Sequence, residues 1–234
     1  MKPITFFFLV FYTAAVVFDC VLITFQPDSP FRFLTKGILM PLLFLTLVFE
    51  IEHTDKWVSV RLICGALLCA LIGDIVLLLG DTKGYFALGL GFFLLTHICY
   101  IIFFYRKRPF RKKDSTFLSL MSFGVLGLVL LEIVCMWEKM EKQNLEIPVI
   151  LYSLTIGFML LCAANLTQSR RLAHNALRYF LPGAFLFVIS DSIIGLNRFY
   201  LPRPISGIYI MITYAVAQLL IVWGAILFIR KKST

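Results

Sequence analysis

Eight long apolar segments follow one another along this chain, separated by short stretches that contain charged residues, proline or glycine. A helix needs roughly 20 mostly apolar residues to cross about 30 Å of bilayer hydrocarbon. We therefore predict membrane-spanning helices at about 4–25, 33–49, 57–80, 84–105, 116–137, 146–167, 178–199 and 204–229. The second segment is short and contains Lys36 and Pro41, so seven spans is the alternative count.

The composition agrees with such a succession of spans. Hydrophobic residues make up 60% of the chain, whereas roughly half of a soluble domain is apolar. The predicted spans also leave little chain between them. The sequence thus predicts an all-α fold, a multi-pass bundle of about eight transmembrane helices, in which residues 1–234 form a single transmembrane domain. The simplest location is the cell (inner) membrane.

The positive charge is concentrated in the short loops. The net charge is +9, and with eight spans most cations fall on one side of the membrane: Lys2, Lys56, Arg106 to Arg108, Arg111 to Lys113, Arg170, Arg171, Arg178 and Arg230 to Lys232. Because loops rich in lysine and arginine stay in the cytoplasm, both termini are predicted to be cytoplasmic. We expect these clusters to contact anionic membrane lipids, and we predict no nucleic-acid partner.

The six cysteines lie inside predicted spans and form no Cys-x-x-Cys pair. This placement is typical of small packing residues and indicates no disulfide framework. The sequence contains no recognisable zinc-ligand motif. Neither a metal nor another cofactor is predicted.

Two aspartates lie inside apolar segments, where Asp74 follows Leu71-Ile72-Gly73 and Asp191 follows Val188-Ile189-Ser190. A carboxylate inside a bilayer is costly unless it is protonated, paired or facing a polar cavity, and such residues usually mark a functional site. Two carboxylates that share a pocket of low dielectric cannot both be charged cheaply. One should therefore keep a proton near neutral pH while the other is ionised. Together they would provide a general acid and a general base.

Other polar side chains are predicted at the same depth, in the outer half of the bundle. Asp19, Lys36, Asn197 and Arg198 could line one cavity together with the two aspartates. A second interpretation stays open for each charged member. Asp19 would then be a helix-end carboxylate, and Lys36 and Arg198 would extend to the interface rather than bind an anionic head group.

The remaining spans contribute further polar and aromatic residues. His97 is either a hydrogen-bonded core residue or a catalytic group. Tyr214 and Gln218 lie four residues apart on one helix face and are candidate hydrogen-bond partners of the aspartates. Glu132 is expected near the outer interface, and Tyr152 is expected to make helix contacts.

An internal repeat is a further hypothesis. Ile72-Gly73-Asp74 corresponds to Ile189-Ser190-Asp191. The third and seventh predicted spans run in the same direction and carry their aspartates at similar depths. This correspondence indicates a parallel duplication in which spans one to four repeat as spans five to eight.

Four motifs occur in a fixed order: Lys36 with Met40-Pro41-Leu42-Leu43, then Leu71-Ile72-Gly73-Asp74, then Gly89 to Tyr100, then Pro182 to Asp191. Their order and spacing, from the second span to the last, resemble the YhhN-type lysoplasmalogenase family of polytopic membrane proteins. One position differs, because the family often has Lys-Pro where this chain has Lys36-Gly37.

The resemblance implies hydrolysis of the vinyl ether bond of a lysoplasmalogen, a lysophospholipid, to a fatty aldehyde and a glycerophospho-alcohol. Protonation of the outer alkene carbon would give an oxocarbenium ion that water captures, which requires an acid and a second carboxylate but no cofactor. Asp74 and Asp191 would fill these roles in either order, and Lys36 and Arg198 would neutralise the phosphate. Further residues would bind the substrate or orient the carboxylates and water: Asp19, Ser190, His97, Tyr100, Asn197, Tyr214 and Gln218.

Three other functions compete with this interpretation. A proton-coupled transporter of small molecules or lipids would also use buried aspartates. Intramembrane aspartyl proteases have Tyr-Asp and Gly-x-Gly-Asp patterns, which differ from Ser190-Asp191 and Leu71-Ile72-Gly73-Asp74 in this chain. An acyl ester hydrolase would need a nucleophile, and the sequence contains no Gly-x-Ser-x-Gly motif.

Overall fold

The computed structural model describes residues 2–51, 56–110, 115–203 and 205–230. Within these ranges the chain forms eight helices that are long and apolar enough to cross a membrane. They are α1 (Pro3–Phe25), α2 (Phe31–Glu50), α3 (Trp57–Leu78), α4 (Lys83–Lys107), α5 (Ser115–Gln143), α6 (Glu146–Leu166), α7 (Ala173–Phe199) and α8 (Ser206–Arg230). The predicted all-α bundle of eight spans is confirmed. The alternative count of seven is wrong, because the segment with Lys36 and Pro41 forms a helix of 20 residues.

The predicted boundaries differ most at α5 and α7. α5 continues beyond the predicted end at 137 to Gln143, since the ion pair of Glu138 with Lys142, one turn later, supports a polar extension of the helix. α7 begins at Ala173 and includes a wide π-helical turn at Ala176–Phe180, just before Pro182. A proline removes one backbone hydrogen bond and crowds the preceding turn, which explains the wider turn there.

The predicted orientation of the termini remains a prediction. Part of the basic clusters on which it depends lies outside the described residues, namely Arg111, Lys112, Lys113, Lys231 and Lys232.

Helices α4, α6 and α8 form the centre of the bundle. Each helix packs beside the next in the pairs α1–α2, α3–α4, α5–α6 and α7–α8. α4 also contacts α6, and α8 contacts α1, α2 and α3. Large core side chains such as Tyr100, Phe103 and Ile221 are fully buried. α1 and α5 are the least buried helices, so they form the periphery.

Close helix contacts adjoin both aspartates. A Cβ atom on Gly73 of α3 would lie 2.9 Å from the Phe93 ring of α4, and a Cβ atom on Gly183 of α7 would lie 3.1 Å from the Ala217 carbonyl oxygen of α8. The absence of a side chain at these glycines therefore lets the helices approach closely. This packing brings the Asp74 turn of α3 against α4 and aligns α7 along α8.

Candidate active site

Asp74 is held in a closed polar cluster between α2, α3 and α8. Its carboxyl group is 2% exposed. The Tyr214 hydroxyl donates to Asp74 Oδ2 at 2.7 Å, and the ammonium nitrogen of Lys36 lies 3.6 Å from Asp74 Oδ1. The expected hydrogen bond from Tyr214 to an aspartate is thus present. Lys36 is not free to extend to the interface, because its charge is paired inside the bundle.

Asp191 is held in a different cluster between α4, α6 and α7. The Tyr152 hydroxyl donates to Asp191 Oδ2, and His97 Nε2 lies 3.2 Å from the same oxygen and 2.9 Å from the Tyr152 oxygen. The His97 ring is fully buried, and its Nδ1 has no partner among the described residues. A proton on Nε2 lets the imidazole donate to Asp191, which leaves Nδ1 as an acceptor. No lysine or arginine pairs with Asp191 in the part of the chain that the structure describes.

A cavity opens beside Asp191, bounded by α4 to α7 and by Leu77 of α3. Its polar lining residues are Glu132, Tyr152, Ser153, Asp191 and Ser192. The rest of the lining is apolar: Leu77, Phe86, Leu90, Phe93, Val125, Leu128, Val129, Met136, Val149, Ile156, Gly157, Leu160, Val188, Ile194, Gly195 and Phe199. The cavity is thus mostly apolar, with a few polar groups in its lining, as is typical of sites that bind small molecules.

The expectation that the polar residues of the outer half share one cavity is met only by Asp191. Other candidates are absent from the lining: Asp19, Lys36, Asp74, Asn197 and Arg198. The physical reason is that these side chains already have partners on neighbouring helices or turns.

Asp19 and Asn197 make local structural contacts. The Thr35 hydroxyl donates to Asp19 Oδ1 at 2.6 Å, and Arg32 Nε lies 3.6 Å from the same oxygen, so Asp19 joins α1 to the start of α2. Asn197 Oδ1 accepts from the backbone N–H of Arg203 at 2.7 Å and stabilises the turn after α7. Asp19 is fully buried and lies six residues before the end of α1, so its contacts differ from those of a helix-end carboxylate.

Arg198 lies at the C-terminal end of α7, beside the cavity. Its guanidinium group is paired with Asp81, donates to Gln143 at 3.3 Å and lies 4.2 Å from the centroid of the Phe86 ring. Phe86 is one of the cavity-lining residues. Arg198 therefore provides a cation next to one end of the cavity, and its partner Asp81 is 95% exposed.

Three further candidates connect helices rather than contact a carboxylate. The Tyr100 hydroxyl donates to Gln218 Oε1 at 2.5 Å, so Gln218 bonds α8 to α4 and not to an aspartate. The Ser190 hydroxyl donates to the Ile210 carbonyl at 3.2 Å. All three side chains lie between the helices that carry the two aspartate clusters.

Aromatic rings lie between the two clusters. The Phe187 ring centroid is 4.7 Å from that of His97 and 5.5 Å from that of Tyr214. Phe93, a cavity-lining residue, has its ring centroid 5.9 Å from that of Tyr214. Asp74 therefore touches the cavity wall only indirectly, because it holds Tyr214 and Tyr214 packs on these rings.

The sequence analysis did not select Tyr152 and Glu132, which the structure places in the cavity with Asp191. Tyr152 does make helix contacts, as expected, but through a hydroxyl bonded to Asp191. Glu132 carried a usable signal, since it is an acidic residue within an apolar stretch of α5. Its position near the predicted helix end suggested a place at the outer interface, whereas in the structure it is partly buried and lines the cavity.

The chain is similar to proteins named lysoplasmalogenase. It is 32% identical over 168 residues to such a protein from Mycobacterium bovis and to one from Mycobacterium tuberculosis, an alignment that covers 70% of this chain and 60% of each relative. It is 31% identical over 172 residues to the human lysoplasmalogenase TMEM86A, covering 72% of this chain and 66% of that protein. The alignment thus spans less than two thirds of the length of these curated relatives. No solved structure matches the chain.

The sequence profile of the YhhN family matches residues 31–225, from the start of α2 to the last turns of α8. This range contains both aspartate clusters and the whole cavity lining. It also contains the four ordered motifs on which the resemblance was based. The chain therefore belongs to the YhhN family.

Proposed function

We propose that this membrane protein hydrolyses the vinyl ether bond of lysoplasmalogens, releasing a fatty aldehyde and a glycerophospho-alcohol. The observation that carries the proposal is a carboxyl group, Asp191, that faces a mostly apolar cavity inside the bundle. The names of the mycobacterial and human relatives support the same reaction. An apolar cavity suits the hydrocarbon chain of the substrate, and a carboxylic acid suits the first step of vinyl ether cleavage.

In that first step Asp191 donates a proton to the outer alkene carbon. Tyr152 and His97 orient its carboxyl group through their bonds to Oδ2. Asp191 is better suited to this role than Asp74, because Asp74 is engaged by the Lys36 ammonium and lies outside the cavity lining. Positioned proton transfer of this kind accelerates reactions by about 10²–10⁴-fold.

Asp74 supports the site from behind the cavity wall. It holds the Tyr214 hydroxyl, and the Tyr214 ring packs against Phe93 in the cavity lining and against Phe187 beside His97. We assign Asp74 and Lys36 the role of fixing these rings, which keeps the imidazole next to Asp191.

Arg198 is the side chain best placed to bind the phosphate. It follows Asp191 by seven residues on α7, which corresponds to about 10 Å along a helix. This separation is comparable with the distance between the phosphate and the vinyl ether in an extended lysophospholipid. The guanidinium group pairs with the exposed Asp81 carboxylate, and the lipid phosphate would replace that carboxylate.

The test is aldehyde release by detergent-purified protein given 1-alkenyl lysophosphatidylethanolamine, with the 1-acyl analogue and Asp191→Asn measured in parallel. Release from the alkenyl lipid alone, lost in the variant, is the expected result. Cleavage of the 1-acyl analogue would show that the substrate is an acyl ester rather than a vinyl ether. If the folded protein cleaves neither lipid, a proton-coupled transporter is favoured. Such a protein would show uptake driven by a proton gradient and would form no product.

A further inference from the structure

Glu132 is a second carboxylate in the cavity that contains Asp191. It lies on α5 and lines the cavity, whereas Asp191 lies on α7. Its side chain is partly buried. Ser192 and Asp191, both on α7, line the same cavity.

Glu132 is the one charged residue among the described side chains that α5 contributes to the cavity lining. The other residues that α5 contributes to the cavity are Val125, Leu128, Val129 and Met136, which lie three, four or seven positions from Glu132 and so share its face of the helix. All four are apolar. A packing role at this face is filled by apolar side chains, and an acidic residue within a membrane span carries a cost that usually reflects function.

The proposed reaction needs a second carboxylate close to the reacting carbon. Asp74 does not line the cavity, and its oxygens are engaged by Lys36 and Tyr214. Glu132 does line the cavity, together with Asp191, so it is the second carboxylate that the cavity provides.

We propose that Glu132 is the catalytic residue that stabilises the oxocarbenium ion and activates the attacking water. This inference rests on the proposed vinyl ether hydrolysis. The Glu132 carboxylate provides a fixed negative charge next to the cation as it forms, so it lowers the barrier to the protonation step. It then accepts a proton from the water that attacks the cation.

The protons and bonds balance over the cycle. Asp191 gives its proton to the outer alkene carbon, which forms a C–H bond as the double bond opens to the oxocarbenium ion. Water forms a C–O bond to the cationic carbon and loses a proton to Glu132, which gives a hemiacetal. When the hemiacetal breaks down, Glu132 returns its proton to the departing glycerol oxygen. The hydroxyl proton passes to Asp191 as the aldehyde forms, so one water is consumed and both carboxyl groups are restored.

The experiment compares Glu132→Gln and Glu132→Asp with the wild type in steady-state aldehyde release and thermal unfolding in detergent. Glu132→Gln keeps the shape of the side chain but removes the charge and the base. We expect kcat to fall about 10²-fold or more, with little change in KM or in the unfolding temperature. Glu132→Asp should recover part of the lost kcat, because it retains a carboxylate.

Two further variants separate catalysis from packing. Glu138→Gln removes a carboxylate from the exposed end of the same helix, where its partner is Lys142, and should behave as the wild type. Ser192→Ala removes a hydroxyl that α7 contributes to the same cavity and should have a much smaller effect than Glu132→Gln. Equal losses in Ser192→Ala and Glu132→Gln, together with a lower unfolding temperature, would reduce Glu132 to a packing role.

The outcome also separates this inference from the proposed function. An active wild type with an equally active Glu132→Gln variant would overturn the inference alone. A wild type that releases no aldehyde would overturn the proposed function, and the inference with it.

Discussion

The two buried aspartates occupy corresponding places in the two halves of the molecule but have different surroundings. Asp74 is on α3, the third helix of its half, and Asp191 is on α7, the third helix of the other half. Asp74 contacts Lys36 from α2 and Tyr214 from α8. Asp191 contacts Tyr152 from α6 and His97 from α4. Each aspartate thus binds a side chain from the second helix of its own half and one from the fourth helix of the opposite half.

The sequence numbers follow the same correspondence. Asp191 follows Asp74 by 117 positions, and Tyr214 follows His97 by the same separation. Asp81 and Arg198 are also 117 positions apart, and they pair with each other across the two halves. This is the pattern that a parallel four-helix duplication would produce, so the contacts support that hypothesis.

The two clusters differ in the side chain that each aspartate contacts on the second helix of its own half. In the first half that partner is an ammonium group, Lys36, and the cluster is closed. In the second half it is a phenol, Tyr152, and the cluster opens into the cavity. A paired carboxylate mainly maintains packing, whereas a carboxyl group with a cavity beside it has room for a substrate. In the proposed reaction, the Asp191 half therefore performs the chemistry and the Asp74 half supports it.

The largest effect on activity is expected from Asp191→Asn. The amide cannot donate the proton that the first step needs, so kcat should fall about 10²–10⁴-fold. The unfolding temperature should change little, since no lysine or arginine among the described residues loses a partner. Steady-state aldehyde release and thermal unfolding of the same preparation measure both quantities. A variant that keeps its kcat would remove Asp191 from the reaction.

Asp74→Asn should lower the stability of the protein more than its kcat. It leaves the Lys36 ammonium, whose side chain is 15% exposed, without its carboxylate. Breaking a buried pair costs about 3–5 kcal/mol. Because Lys36 is partly exposed, we expect the free energy of unfolding to fall by about 3 kcal/mol or less. The kcat should fall less than in Asp191→Asn.

The double variant Lys36→Met with Asp74→Asn is the control, because it also removes the unpaired Lys36 ammonium group. It should be more stable than Asp74→Asn alone. If Asp74→Asn abolishes turnover while the unfolding temperature stays unchanged, the comparison fails. Asp74 would then be catalytic itself, as the sequence analysis expected.

A matched pair of tyrosine variants sharpens the comparison. Tyr152→Phe and Tyr214→Phe each remove one hydroxyl that donates to an aspartate. Hydrogen bonds to charged groups contribute about 1.5–3 kcal/mol, so Tyr152→Phe should lower kcat by about tenfold or more. Tyr214→Phe retains the ring that packs on Phe93 and should lower kcat less. Equal kcat values for the two variants would contradict the division of roles.

Much of the fold was predictable because its cause is local. The length of each apolar segment determines a span, and even the segment with Lys36 and Pro41 follows this rule. Asp74 and Asp191 were identified for the same reason, since a charge within an apolar segment is unusual in any packing arrangement.

The partners of these residues could not be predicted, because they come from distant parts of the chain. Tyr214 is 140 positions from Asp74, and His97 is 94 positions from Asp191. No periodicity within one helix specifies which face of another helix it meets. Lys36 therefore looked free to bind a head group until helix packing paired it with Asp74. Nothing within α5 indicated that Glu132 would line a cavity together with Asp191.

Arg198 provides a smaller effect, on binding rather than on the chemical step. Arg198→Gln removes the cation at the end of α7, so KM for the alkenyl lipid should rise about tenfold while kcat changes less. Asp81→Asn is the matched control, because it frees the guanidinium from its carboxylate partner and should leave KM unchanged or lower it. A rise in KM in both variants would indicate that the ion pair itself, rather than the cation, supports the site.

The smallest predicted effect concerns the cavity, which distinguishes the Asp191 half from the Asp74 half. Gly157 lines the cavity and follows Tyr152 on α6, further from the Arg198 end of the cavity. A Cβ atom at Gly157 would lie 2.7 Å from a Val125 methyl group. Gly157→Val should therefore shorten the space for the alkenyl chain. Each methylene that loses its site costs about 0.8 kcal/mol, or about fourfold in kcat/KM, so long chains should lose more activity than short ones.

Gly124→Val on α5 is the matched control, because a Cβ atom at that glycine meets nothing within 4 Å. It should leave the chain-length preference of kcat/KM unchanged. A loss in Gly157→Val that is equal for all chain lengths would show that the substrate chain does not reach Gly157. The cavity would then contain only the reacting end of the lipid, and the hydrocarbon chain would lie along the outside of the bundle, against the exposed apolar faces of the peripheral helices.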